Sequence, residues 1–158
     1  MKTGFSLVEI LVSLAIVGII SSISVEGFFS SRERAMLDED VSQVVQAIRK
    51  AQNEALAPSK SQTVGIDSIK QLCSIGVRIT SSTKEIQPIY TSSTPPSTIC
   101  NESNYSLSTK TLNYADIDAD VTFNFDVPFA ATTEKSITLT KGISKTIRVT
   151  SSGLIEVK

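Results

Sequence analysis

The stretch Phe5-Ser6-Leu7-Val8-Glu9-Ile10-Leu11-Val12-Ser13-Leu14-Ala15-Ile16-Val17-Gly18-Ile19-Ile20 decides how this 158-residue chain folds. It follows a short polar head, Met1-Lys2-Thr3-Gly4, and is apolar apart from Glu9 and the small hydroxyls of Ser6 and Ser13. A helix from Phe5 to Val25 would run about 31 Å at about 1.5 Å per residue, enough to cross a hydrocarbon core about 30 Å thick. No proline interrupts it before Pro58, and Gly18 is of a type tolerated in helices that cross lipid. Glu9 is the anomaly. A carboxylate in such a segment costs about 2.5 to 3.5 kcal/mol on insertion scales, so its presence asks for a cationic partner.

The order G-F-S-L-V-E-I-L-V-S-L over residues 4–14 resembles the N-terminus of type IV pilins and of the pseudopilins of type II secretion. The resemblance implies that a prepilin peptidase cuts after Gly4 and that Phe5 becomes the methylated N-terminus. It also implies that Glu9 neutralises the terminal amine of a neighbouring subunit as it leaves the inner membrane for a filament. Two other readings compete. A secretory signal cut after Ser22-Ile23-Ser24 would expose Val25, and a plain single-span anchor would keep Met1. Neither gives Glu9 a role. Lys2 lies on one side of the apolar run and Arg32 and Arg34 on the other, so charge asymmetry does not orient it. A cytoplasmic head and a body in the periplasm or outside the cell follow from the resemblance.

Composition narrows the function. The formal charge is −1, and taking Lys2 from the 15 basic side chains leaves 14 against 16 acidic ones. Such a balance argues against nucleic acid as a partner. Histidine is absent, which removes the side chain best suited to acid–base work and metal binding near neutral pH. Catalytic residues, a resident metal, a cofactor and a small-molecule substrate are therefore not expected.

Past Phe28-Phe29 the helix should continue. Leu37, Val41, Val44 or Val45, Ile48, Ala51 and Ala55 recur at steps of three and four, with Arg34, Asp38, Glu39, Gln46, Arg49, Lys50 and Asn53 between them. Pro58 closes the pattern. The period then falls to two. Ile75, Val77 and Ile79, then Val121, Phe123 and Phe125, then Ile137 and Leu139, Ile147 and Val149, Ile155 and Val157 read as half-buried strands. Thr140-Lys141-Gly142 and Ser151-Ser152-Gly153 are short enough to join the last of them as an antiparallel meander. The apolar face of the helix is the natural cover for such a sheet. The expectation is an α+β, pilin-like fold: a leader at 1–4, a helix at 5–57 that serves as anchor and spine, and a β-rich domain at 58–158.

The helix run A-I-R-K-A-Q-N-E-A-L-A over residues 47–57, followed by a late meander with a Ser-Ser-Gly turn, looks like the H-type minor pseudopilins and related minor pilins. Many major pilins carry a proline partway along the first helix, where this chain has Glu26.

Cys73 and Cys100 form an even pair without histidine partners, which in an oxidising compartment points to a disulfide, with two buried free thiols at strand ends as the alternative. Closing that loop of about 28 residues would stabilise the fold by about 3.5 kcal/mol in the chain-entropy account. Thr91 to Lys110, rich in Ser and Thr with Pro95-Pro96, reads as a long exposed loop, and its sequons at Asn101 and Asn104 carry little weight. Asp116, Asp118 and Asp120 have the alternation of a calcium loop, but Val121 and Val127 occupy the places of its glycine and bidentate glutamate. Those acids read as the solvated face of a strand. Lys141, Lys145, Arg148 and Lys158 would suit phosphates in a DNA-uptake minor pilin, yet neighbouring acids favour an ordinary surface. The function expected is that of a minor pilin or pseudopilin subunit, with other such subunits, the peptidase and the inner membrane as partners. A signal-anchored extracytoplasmic β-domain with an adhesive or binding role is the alternative.

Overall fold

The computed structural model describes residues 6–57, 71–93 and 109–158; for residues 22–27 and 71 it describes the backbone alone. One helix, α1 (Leu7–Leu56), is 50 residues long, or about 75 Å. Ser6 caps it from an extended conformation, its hydroxyl accepting from the Glu9 N–H at 3.4 Å. At the far end the Ala57 N–H returns to the Asn53 carbonyl at 3.1 Å. Pro58 lies outside the described residues.

Among the described residues eight strands follow: β1 (Gln71–Thr80), β2 (Glu85–Ser93), β3 (Lys110–Thr111), β4 (Asp116–Ile117), β5 (Val121–Asp126), β6 (Lys135–Lys141), β7 (Ile143–Val149) and β8 (Ile155–Val157). They form two four-stranded sheets, ordered β3-β2-β1-β5 and β4-β6-β7-β8, and every pairing is antiparallel. The single sheet suggested by the sequence is thus two, and α1 packs against strands of both. The fold is α+β and pilin-like.

Alternation explains which residues enter the core. Ile75, Val77 and Ile79 of β1 stand opposite Phe125, Phe123 and Val121 of β5, and Ile137 of β6 stands opposite Ile147 of β7. Apart from half-buried Val121, all of these are buried together with Leu37, Val41, Val44, Ile48, Ala51 and Ala55 of α1. Between the two candidates on the helix face, Val44 is fully buried and Val45 only partly so. Each large aliphatic group so placed stabilises the fold by about 1.5 to 3 kcal/mol. The meander β6-β7-β8 turns at Gly142 and Gly153, with φ of 68° and 81°, a region where a side chain would be strained.

The strand β2 was not legible in the sequence. Pro88 lies in its middle, and burial from Ile89 to Ser93 is continuous, so both the residue type and the period argue against a strand. The proline is tolerated because β3 pairs only with Glu85 and Ile86 and does not reach it. The exposed loop expected from Thr91 to Lys110 is corrected at both ends. Thr91, Ser92 and Ser93 are buried in β2, the Thr91 and Ser74 hydroxyls meeting at 2.6 Å, and Lys110 belongs to β3. Residues 94–108, with Pro95-Pro96, Cys100, Asn101 and Asn104, lie outside the described residues.

Candidate assembly surface

Along its first fourteen positions α1 carries apolar side chains that the domain leaves exposed. Leu7, Val8, Ile10, Leu11, Leu14, Val17 and Ile20 are all exposed, Leu7 by 78%. The serines within the run do not disturb this character. The Ser13 hydroxyl donates to the Glu9 carbonyl at 2.7 Å and that of Ser21 to the Val17 carbonyl at 2.8 Å, so each is satisfied within its own helix. Glu9 is left as the exposed charge in the first turn. The helix N-terminus favours an anion there, and no cation among the described residues pairs with it. Gly4 and Phe5, expected as the processing site, lie outside the described residues. Among the described residues no helix is long and apolar enough to cross a membrane.

The second half of α1 is fastened to the domain. Asp40, fully buried, accepts from the backbone N–H groups of Asn113, Tyr114 and Ala115 at 3.4, 2.8 and 2.6 Å. Sequence reasoning missed this residue, although its spacing from Leu37 and Val44 places it on the apolar stripe, where an acid needs a partner. The Lys145 ammonium donates to Asp38. Farther along, Gln52 donates to the Gly153 carbonyl at 3.1 Å, and the Tyr90 hydroxyl donates to Glu54 at 3.2 Å. Burial, and then the Glu54 carboxylate, push the Tyr90 hydroxyl up to about 12.

The other candidate residues take separate posts. Asp116 pairs with Lys84 at 2.6 Å, and that hydrogen bond, followed by the lysine's charge, lowers its pKa. Asp118 accepts from the Thr138 N–H, whereas Asp120 accepts from the N–H and hydroxyl of Ser81, which lower its pKa. They therefore serve as turn and strand acceptors rather than as one cluster, and no group of three possible metal ligands occurs among the described residues. Of the basic residues near the C-terminus, Lys145 meets Asp38, Arg148 meets Glu134 and Lys158 lies 3.7 Å from Glu156. Hydrogen bonding to Glu134, then its charge, raise the Arg148 pKa. Cys73 sits at the register shift of β1 between Leu72 and Ser74, and its carbonyl accepts from the Val127 N–H at 2.9 Å.

An exposed apolar helix start with one acid in its first turn, ahead of a domain-bound half, can be compared with known families. The family model described as the prokaryotic N-terminal methylation motif matches residues 1–25. The chain carries the type IV pilin and pseudopilin signature. Over those 25 residues the chain is similar to the precursors that prepilin peptidase processes, and the signature is that of a structural rather than a catalytic protein. No match was found among curated proteins or among solved structures.

Proposed function

We propose that this chain is a minor pilin or pseudopilin, cut after Gly4 and built into a type IV pilus or a type II secretion pseudopilus through the first half of α1. The supporting observation is the division of one continuous helix: apolar and exposed around Glu9, then held to two sheets from Leu37 onward. Before assembly the exposed part resides in the inner membrane as a single span, with the β-rich domain on the outer side. After cleavage Phe5 bears the methylated amine, and Glu9 of one copy pairs with that amine of another inside a bundle of helices. In such a dry bundle an unpaired carboxylate is costly, so pairing selects the register at which a new subunit docks.

A variant series tests this reading. Glu9→Ala should insert into the membrane as well as the parent or better, by up to about 3 kcal/mol, while its incorporation into filaments falls sharply. Undiminished incorporation would defeat the pairing role. Gly4→Ala should leave the leader attached, read by the mass of the purified chain. A Cys73–Cys100 bridge belongs to the same proposal. It is supported by the lack of any free cysteine among the described residues, and it requires that the thiol count rise on reduction.

A further inference from the structure

We infer that Phe28, Phe29 and Arg32 form an interfacial anchor that docks on the outer headgroup layer of the bilayer and so fixes the depth at which Glu9 lies. This rests on the membrane-resident state proposed above and adds to it a surface and a lipid partner. Phe28 and Phe29 are 66% and 58% exposed, their rings meeting edge to face with centroids 6.4 Å apart. Large aromatic side chains left this open on a water-facing helix are costly, yet at a membrane boundary they are favourable.

Three observations identify the occupant. The first is length. Along the unbroken α1, Phe28 lies about 32 Å from Leu7, close to the hydrocarbon thickness. The second is direction. Phe28 precedes Leu37, the first fully buried residue of the helix, by two and a half turns, or about 13 Å, and so faces away from the side the sheets cover. The aromatic pair therefore lies ahead of the domain, in line with the apolar run. The third is the cation. Arg32 is exposed and unpaired with any acid among the described residues, and it stands three and four residues after the two rings, on the same strip. An arginine there reaches phosphate oxygens while its stem stays against the acyl boundary. With the rings held at the outer boundary, Glu9 falls about 29 to 30 Å away, at the inner one, where its charge remains hydrated until a neighbour's amine replaces the water.

The chain has no tryptophan, so Val17→Trp in the full-length protein supplies a single fluorophore near the expected bilayer midplane. Vesicles of phosphatidylcholine, with or without a minority of phosphatidylglycerol, carry bromine at shallow or deep acyl positions. In the parent, deep bromines should quench most. Phe28→Ser/Phe29→Ser should still sediment with vesicles and keep its folded domain by circular dichroism, but lose the depth selectivity, whereas Phe28→Tyr/Phe29→Tyr should retain it. Arg32→Gln should abolish any sharpening of depth by phosphatidylglycerol. An unchanged quenching profile in the double serine variant overturns the anchor, and a concurrent loss of cross-linking between copies would reassign the rings to helix packing. If the parent itself fails to sediment with vesicles, the membrane-resident reading falls, and the anchor with it.

Discussion

The two halves of α1 both carry large apolar side chains and hold them in opposite surroundings. Leu7 is 78% exposed and Leu37 is 0% exposed, yet both are leucines of one helix. What differs is the rest of the surface. Around Leu37 the polar residues Asp38, Glu39 and Arg49 restrict the apolar side chains to one stripe, which two sheets cover; around Leu7 they go all the way round. A stripe can be satisfied within the chain, whereas an all-round apolar helix needs lipid or other helices.

Cutting the same side chain in each half tests that contrast most severely. Leu37→Ala should lower the domain's unfolding free energy by about 2 to 5 kcal/mol, and Leu11→Ala should leave it unchanged, both measured by denaturant titration. Equal losses would mean that the halves are not energetically separate. A somewhat smaller effect is expected at Asp40. Its replacement by Ala strands three backbone donors, at a cost of about 3 kcal/mol, and Asp40→Asn should recover part of it. Smaller still is Tyr90→Phe, which deprives Glu54 of its donor and should cost about 1 to 2 kcal/mol. The same pair sets a pH dependence. The Tyr90 hydroxyl is shifted from 10.0 up to about 12 in the folded chain, so its contribution is complete below pH 10 and is lost as pH rises through about 12. Tyr90→Phe should flatten that part of the stability profile.

The strands that the sequence revealed are those with a clean two-residue period, such as Val121-Thr122-Phe123-Asn124-Phe125. The strand β2 stayed hidden because Pro88 and an unbroken buried tail erased the period, and β3 and β4, two residues each, are too short to have one. At the assembly surface the apolar run and Glu9 were plain, because both are local patterns. The hydroxyl cap from Ser6 is local too, since a serine ahead of an apolar helix is a recognisable start signal.

What the sequence by itself determined is the long helix, the stripe that splits it, the C-terminal meander and the signature around Glu9. All of these are written in residues within a few turns of one another. Tertiary structure alone decided that the strands divide into two sheets and that Pro88 enters one of them. It alone placed Asp40 against N–H groups 73 to 75 residues away. Those outcomes depend on which distant backbone groups meet, and a one-dimensional pattern does not record that meeting.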